Sequence, residues 1–251
     1  MITIKNEEEI ELMREAGMMV SKTHKYLKPF IKAGISTFEL DRLAEEYIRK
    51  MGGVPSCKGY EGFPATLCTS INDMVVHGIP SKNEILKDGD IITIDMVIGY
   101  KGYQGDAAWT YAVGEISDKK KFLMESTEKA LYEGVKKVKP GAHIGDISHA
   151  VEMQARKCRL GVVKELTGHG IGKEMHEDPY VPNYGKKGEG PILKEGMVIC
   201  IEPMLNLGTS KIYMLNDGWG IKTWDGKDAA HYEHTVLVTK DGYEILTPRL
   251  D

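Results

Sequence analysis

The sequence contains few cysteines and no long apolar run. Its 251 residues include only four cysteines, and none of them forms a CxxC pair, so we interpret them as reduced thiols of a cytosolic protein. No stretch approaches the run of about 18 apolar residues that spans a membrane. Residues 1–9 also lack the apolar core of a signal peptide. We therefore expect a cytoplasmic protein.

The chain also lacks a charge excess and a linker. The 33 basic and 37 acidic residues give a net charge of −4, which provides no general field for nucleic acid or an anionic membrane. No Pro-, Gly- or Ser-rich stretch interrupts the chain near residues 114–120, where a linker would be marked by such residues. With 41% hydrophobic residues, the chain can bury a full core, so we predict one domain.

Two apolar runs, residues 91–98 and 197–204, each contain one carboxylate, Asp95 and Glu202. Their length and β-branched residues predict buried strands. An isolated buried carboxylate costs several kcal/mol unless it is paired or bound to a metal. The pattern therefore indicates that a cationic group lies between the two runs.

The two runs belong to an internal repeat with an offset of 107 residues. A Leu-Lys-acid-Gly sequence precedes both runs, at residues 86–89 and 193–196, and the same offset separates Gly34 from Gly141. Turn residues and an acidic strand position that repeat in one register predict a duplicated α/β unit. The two halves of the single catalytic domain would comprise about residues 1–115 and 116–251.

Local patterns predict four helices and four strands. Amphipathic spacing and capping residues place the helices at about residues 7–27, from a Ser36-x-x-Glu39 capping box to Gly52-Gly53, from Ser117 to Pro140-Gly141, and at residues 144–157. The strand patterns lie at residues 90–98, 103–113, 196–205 and 232–238. We expect the helices to be segregated from a central sheet.

Further acids and one histidine occupy positions that can converge with these runs. Asp106 follows Asp95 across a hairpin turn at residues 99–102, and Glu233 lies on the corresponding return strand of the second half. His169 lies between glycines that let the backbone approach closely and leave the imidazole accessible. Four carboxylates and one imidazole match a pair of divalent first-row ions better than one zinc ion. This set indicates a hydrolase centre.

Together with their flanking motifs, these residues resemble a known family. The matching segments occur in the family's order along essentially the whole chain: residues 72–80, Ile94-Asp95 with Asp106, residues 168–172 with His176, residues 201–204 and residues 232–235. They resemble the type I methionine aminopeptidases, in their short bacterial form.

The resemblance implies the pita-bread fold, a pseudo-twofold α/β arrangement with a mainly antiparallel central sheet and helices packed on its outer side. It also implies two divalent metal ions, and Fe(II), Co(II), Mn(II) and Zn(II) all suit such ligands because availability decides more than geometry. The implied metal ligands are Asp95, Asp106, His169, Glu202 and Glu233.

The implied reaction is removal of the initiator methionine from nascent proteins with a small second residue, by attack of metal-activated water on the Met-Xaa peptide bond. Glu202 is the implied proton shuttle. His77 and His176 are the implied partners of the scissile amide and the developing oxyanion. The methionine side chain is expected to contact Cys57, Tyr60, Phe63, Cys68, Met175 and Trp219.

The implied partners are the N-termini of nascent polypeptides, with docking at the ribosome near its exit tunnel. Direct nucleic-acid readout and membrane binding are not expected, and we expect a monomer. The sequence departs from the family pattern at Met74, Met175 and His231, and Met175 replaces an aromatic residue that is common in the pocket.

Two alternatives stay open on the sequence alone. Prolidases and Xaa-Pro aminopeptidases share the five ligands but usually carry an additional N-terminal domain, for which we expect no room before the first helix. A metal-free binding protein on the same scaffold would have lost ligands, whereas all five are present here.

Overall fold

A computed structural model describes residues 1–250 of the chain as four α-helices, two short 3-10 helices and fifteen strands. The helices are α1 (Glu7–Leu27), α2 (Thr37–Lys50), α3 (Asp118–Val135) and α4 (Ile144–Cys158), and the 3-10 helices are Lys28–Phe30 and Tyr60–Gly62. The strands are β1 (Val54–Pro55), β2 (Cys68–Ile71), β3 (Met74–Val76), β4 (Ile91–Tyr100), β5 (Tyr103–Ala112), β6 (Gly161–Val162), β7 (Thr167–Gly170), β8 (Glu177–Pro182), β9 (Val198–Ile201), β10 (Met204–Asn206), β11 (Ile212–Met214), β12 (Ile221–Thr223), β13 (Ala229–His231), β14 (His234–Thr239) and β15 (Gly242–Ile245). Among these residues, no helix combines the length and apolar content needed to cross a bilayer.

The four predicted helices are confirmed, and their first turns show why they begin where they do. Asn6 caps α1 through a reciprocal pair of hydrogen bonds with Glu9. Ser36 caps α2 by accepting the Glu39 N–H at 3.1 Å. The capping box also predicts that the Glu39 side chain accepts the Ser36 N–H, and this prediction is wrong. The Glu39 carboxylate instead accepts a hydrogen bond from the Arg42 guanidinium.

One predicted strand is interrupted and another begins later than predicted. Both differences place candidate site residues outside regular structure. The run 196–205 divides into β9 and β10, which lie in different sheets. Pro203 explains the break because proline has no N–H for a strand ladder. The run 232–238 starts only at His234, which leaves Glu233 between β13 and β14. Glu202 and Glu233 therefore both lie where one sheet passes into the next.

All strand pairings are antiparallel. One four-stranded sheet has the order β1-β4-β2 with β5 paired to β4, and a five-stranded sheet has the order β15-β14-β9-β7-β8. The other two sheets have three strands each, in the orders β13-β10-β6 and β11-β12-β3. The β4–β5 hairpin turns at Lys101 and Gly102, with φ of 48° and 86°, as in a type I′ turn.

The repeat of 107 residues is visible in equivalent hydrogen bonds. The Gly34 N–H donates to Leu86 O at 2.9 Å, and the Gly141 N–H donates to Leu193 O at 2.9 Å. The same offset relates two isolated β-bridges, Ser36 with Ile85 and His143 with Ile192. One contiguous apolar cluster contains residues from both halves, among them Ile94 and Ile199.

The helix α1 packs on β4 and β5 at a point where two glycines meet. A Cβ added to Gly105 would lie 2.6 Å from Gly17 N and 2.8 Å from the Ala16 carbonyl carbon. Both contacts are with backbone, which cannot move aside as a flexible side chain can. Gly105 therefore allows the helix to approach the strand that carries Asp106.

Replacing Gly105 with alanine is expected to lower the free energy of unfolding by about 1–3 kcal/mol, because the methyl group overpacks this contact. For a chain of this size the melting temperature should fall by about 2–4 °C per kcal/mol. Gly242→Ala is the control, since a Cβ there meets nothing within 4 Å. Equal melting temperatures for the two variants would contradict this account of the packing.

Candidate metal centre

Five candidate ligands from both halves line one cavity of about 650 Å³. Asp95 and Asp106 lie on the neighbouring strands β4 and β5, and His169 lies on β7. Glu202 directly follows β9, and Glu233 lies between β13 and β14. The structure thus brings together all five residues that the sequence predicts to meet.

The His169 imidazole is oriented toward two of the carboxylates. Its Nε2 lies 3.4 Å from Glu202 Oε1 and 3.7 Å from Asp106 Oδ2. Its Nδ1 lies 2.9 Å from Gly170 O, so Nδ1 carries the proton and donates it to that carbonyl, which leaves the Nε2 lone pair facing the acids. Burial lowers the pKa of His169 to about 4. A neutral imidazole fixed in this tautomer is a ready metal ligand.

The glycines beside His169 serve the predicted close approach, but the imidazole is less accessible than expected. A Cβ on Gly168 would lie 2.3 Å from Cys200 O, and a Cβ on Gly170 would lie 2.1 Å from Asp178 O. The strand β7 is therefore inserted tightly between its neighbours. His169 is only 6% exposed, and it reaches solvent through the cavity.

The four carboxyl groups form a buried cluster whose negative charge, when they ionise, the protein does not compensate. Burial raises the pKa of Asp95 to about 7. Burial, and then the neighbouring carboxylates, raise the pKa values of Asp106, Glu202 and Glu233 well above their ordinary range. Among the described residues, the only basic groups within 4 Å of these carboxylates are His169 and His231, whose pKa values burial lowers to about 4 and about 3. At neutral pH neither imidazole supplies a positive charge.

Two buried carboxyl oxygens indicate whether the five candidate ligands fit metal ions. Asp106 Oδ1 and Glu233 Oε1 are buried without a hydrogen-bond partner in the described part of the chain. Unpaired buried carboxylate oxygens are costly and are normally satisfied by a partner or a metal. Hard oxygen donors with one imidazole suit divalent first-row ions. The residues present therefore fit a divalent metal centre.

Cys200 is a potential ligand that the sequence analysis missed. One atom each of Asp106, His169, Cys200 and Glu233 lie within 4.8 Å of one another. Burial, followed by the charge of Glu233, raises the pKa of the Cys200 thiol well above its ordinary value. Because a metal binds the thiolate and not the thiol, Cys200 would have to lose its proton to act as a ligand.

The six residues predicted for the methionine pocket form one cluster on the cavity wall. The members are Cys57, Tyr60, Phe63, Cys68, Met175 and Trp219. The Phe63 and Trp219 rings meet edge to face with centroids 5.1 Å apart. Val97 and Ile79 also belong to the cluster and were missed. Val97 could have been found, because it lies two residues after Asp95 and shares its face of the strand.

Three histidines beyond the ligand set line the same cavity. His77 and His176, both predicted, lie on its wall, and the Tyr60 hydroxyl is 3.0 Å from His176 Nδ1. The His176 ring packs edge to face on His169, with centroids 4.4 Å apart. His231 was predicted only as a departure from the family pattern. Its Nε2 lies 3.8 Å from Glu202 Oε2, so the His231 side chain faces the carboxylate cluster. Met74, another departure from the family pattern, lies buried on β3.

The cavity combines an uncompensated carboxylate cluster with an apolar pocket, which is the arrangement of a metal-dependent hydrolase with a side-chain subsite. The profile described as metallopeptidase family M24 matches residues 11–240, and the chain belongs to this family. It is similar to methionine aminopeptidase 1 of Bacillus subtilis, with 50% identity over 98% of this chain and 99% of that one. It is 51% identical to the methionine aminopeptidase of Clostridium acetobutylicum over the same shares.

Solved structures agree with this assignment. The methionine aminopeptidase of Rickettsia prowazekii superposes with a TM-score of 0.97 at 40% identity, covering 99% of this chain and 100% of that one. A prolidase from Pyrococcus furiosus has a TM-score of 0.77 at 24% identity and covers 99% of this chain but 66% of its own, which shows a shared fold only. The predicted fold class and family resemblance are therefore confirmed.

Proposed function

We propose that the chain is a methionyl aminopeptidase, which hydrolyses the bond after the N-terminal methionine of polypeptides with a small second residue. The observation that carries the proposal is the apolar, sulfur- and aromatic-lined pocket that opens directly onto the carboxylate cluster. Polarizable thiols and ring edges are favourable contacts for a thioether. The relatives named methionine aminopeptidase, at about half identity over the full length, support the same activity.

Asp95, Asp106, His169, Glu202 and Glu233 would hold two divalent ions, which we propose to be Fe(II), Co(II), Mn(II) or Zn(II). When bound, such ions lower the pKa of water and polarise a carbonyl oxygen. The protein contributes a rigid, largely buried donor set, in which Asp106 is only 4% and Glu233 only 2% exposed.

Glu202 is the proposed proton shuttle. Its side chain is 13% exposed and lies between the imidazoles of His169 and His231. A carboxyl whose pKa is raised above its ordinary value is a stronger base than a free carboxylate, and it can both accept a proton and return it to the leaving amine. Burial raises the pKa of Glu202.

His77 and His176 are proposed to donate hydrogen bonds to the scissile amide and to the oxygen that develops negative charge. Burial lowers the pKa of His77 to about 4 and also lowers that of His176, so both rings are neutral near pH 7. If the Tyr60 hydroxyl donates to His176 Nδ1, the proton of that ring lies on Nε2. The ring then offers a donor, as electrostatic stabilisation of an oxyanion requires.

Tyr60→Phe is expected to lower kcat about fivefold with little change in KM, because loss of one hydrogen bond of about 1 kcal/mol frees the His176 ring. Steady-state kinetics on a Met-Ala peptide measures both constants. Tyr213→Phe is the matched control, since Tyr213 lies on β11 and is 40% exposed. A change in KM alone would show that Tyr60 acts only through the pocket.

Peptide specificity tests the proposed activity against its rivals. The metal-loaded protein is expected to release methionine from Met-Ala-Ser, to act weakly on Met-Leu-Ser and to leave Ala-Pro peptides intact. The protein treated with a chelator should be inactive and should recover on addition of Mn(II) or Co(II). Preferential cleavage of Ala-Pro would favour the prolidase group, and binding without turnover would favour a non-catalytic protein.

We further propose that the chain acts as one catalytic domain, with halves at about residues 1–115 and 116–251, and as a monomer. The apolar cluster common to both halves supports the single domain. Substrates of this kind place the reaction in the cytoplasm, at polypeptide N-termini that leave the ribosome.

A further inference from the structure

The strand that carries Asp106 meets the segment that carries Glu233 along a seam, which we define as residues 106–110 of β5 facing residues 231–235. The first edge of β5 pairs with β4. Along its second edge, the Glu233 N–H donates a backbone hydrogen bond to Ala108 O at 2.7 Å. On either side of this bond, a threonine hydroxyl takes the place of a backbone partner.

The first hydroxyl belongs to Thr235, in the second half. Its Oγ1 accepts the Asp106 N–H at 3.0 Å and donates to Asp106 O at 2.8 Å. Thr235 is itself fixed, because its N–H donates to Thr247 Oγ1 at 3.1 Å and its carbonyl accepts the Leu246 N–H at 2.9 Å. Thr235 and Thr247 are both completely buried.

The second hydroxyl belongs to Thr110, in the first half. Its Oγ1 accepts the His231 N–H at 3.1 Å and donates to His231 O at 2.9 Å. The Thr93 hydroxyl lies 2.8 Å from the Thr110 hydroxyl and donates to it, because the proton of Thr110 is already used. Each half thus forms hydrogen bonds to the backbone of the other through a threonine hydroxyl. Thr235 binds the backbone of the ligand Asp106, and Thr110 binds the backbone of His231, two residues before the ligand Glu233.

A hydroxyl that bridges both backbone groups of one residue fixes a different spacing from a strand ladder. Direct pairing would bring the two backbones to about 4.7–4.9 Å. A side chain placed between them keeps the strands apart while satisfying the buried N–H and C=O groups. The two backbones of the seam therefore approach directly at Glu233 and Ala108. On both sides of this contact, the threonine hydroxyls fix the distance between them.

We propose that Thr110 and Thr235 are positioning residues, which fix the separation of Asp106 and Glu233 and so hold both carboxylates ready for a pair of divalent cations. The inference rests on the metal centre of the proposed function. It adds two residues that touch neither a cation nor a substrate. Their contribution is made through the backbone of the ligand segments.

Thr235→Val tests the inference, because valine keeps the shape of the side chain and replaces the hydroxyl with a methyl group. Thr235→Ser retains the hydroxyl. The matched control is Thr127→Val, since Thr127 is completely buried and its hydroxyl donates to Leu123 O within α3. The readouts are calorimetric titration of each metal-free protein with Mn(II), the electron paramagnetic resonance spectrum of the coupled Mn(II) pair, and the melting temperature.

Thr235→Val is expected to weaken Mn(II) binding by about 10–100-fold, as loss of a supporting hydrogen bond to a ligand does, and to weaken the spin-coupled signal. Thr235→Ser and Thr127→Val should bind two Mn(II) ions like the unmodified protein. If Thr235→Val does not fold, the same comparison of Thr110→Val with Thr127→Val decides. Unchanged Mn(II) affinity and coupling in the seam variants would overturn the inference. Failure of the unmodified protein to bind an Mn(II) pair would instead overturn the proposed metal centre, and the inference with it.

Discussion

Replacing Glu202 with glutamine is expected to lower kcat for a Met-Ala peptide by about 10²–10⁴, the range in which general acid–base catalysis contributes. The amide has nearly the shape of the carboxyl group but cannot accept and return a proton. It also removes one of four acidic groups that raise one another's pKa values in the cavity. The metal-free variant should therefore melt at the same temperature as the unmodified protein or at a higher one.

A conservative change elsewhere provides the control. Glu84 is half-buried, its pKa is raised by burial, and it accepts a hydrogen bond from the Thr37 hydroxyl at 3.2 Å. Glu84→Gln should leave kcat unchanged. Full turnover by Glu202→Gln in the presence of metal would remove Glu202 from the reaction, and a large loss of melting temperature would show that its role is structural.

Relative to the stability of Glu202→Gln, the stability of the metal-free protein is expected to fall as the pH rises above about 4. The folded pKa of Asp95 is raised to about 7, and those of Asp106, Glu202 and Glu233 are raised well above their ordinary values. Above the ordinary carboxyl pKa near 4 the folded state therefore binds more protons than the unfolded state, until the pH passes the raised folded pKa values. Stability therefore decreases by about 1.4 kcal/mol per pH unit for each carboxyl that stays protonated in the fold.

The comparison with Glu202→Gln isolates this effect from the buried histidines, which both proteins contain. Burial lowers the pKa of His24 to about 3 and that of His234 to about 4, so these groups favour the folded state as the pH rises toward their ordinary value near 6.5. Above pH 7 histidines are neutral in both states and contribute no slope. Below that value the two groups of residues act in opposite directions.

Divalent metal should remove the dependence on pH, because bound cations favour the ionised carboxylates in the folded state. At a free Mn(II) concentration of about 100 times the dissociation constant, binding adds about 2.7 kcal/mol of stability. Thermal melts of both proteins between pH 4 and 9, with and without Mn(II), measure both effects. Equal changes of the two metal-free melting temperatures across this range would mean that Glu202 is ionised without a cation.

The centre was predictable from the sequence because its chemistry conflicts with its surroundings. A carboxylate in each of two apolar runs is unfavourable in a core, and the offset of 107 residues relates Asp95 to Glu202 through the chain pattern alone. The four helices were predictable for a similar reason, since caps such as Asn6 and apolar spacing are local properties. The β4–β5 hairpin followed from its turn residues alone.

The features that could not be predicted depend on contacts between distant segments. We predict one strand over residues 196–205, whereas the chain breaks at Pro203 and its path after that break depends on pairing with β13 and β6. Cys200 and His231 approach the acids only because β9 and β13 belong to sheets that meet at the cavity. The seam contacts join residues more than a hundred positions apart, and no local pattern distinguishes Thr235 from other strand threonines.

The seam has the reciprocal form of a twofold interface, in which each side contributes the same kind of contact to the other. An isolated half would present an unpaired strand edge and carboxylates without their counterparts. Covalent connection near residue 115 supplies the second half at a fixed effective concentration, typically millimolar for a short tether. Assembly of the proposed ion-binding residues is thereby independent of how dilute the protein is, as it would not be for two separate subunits.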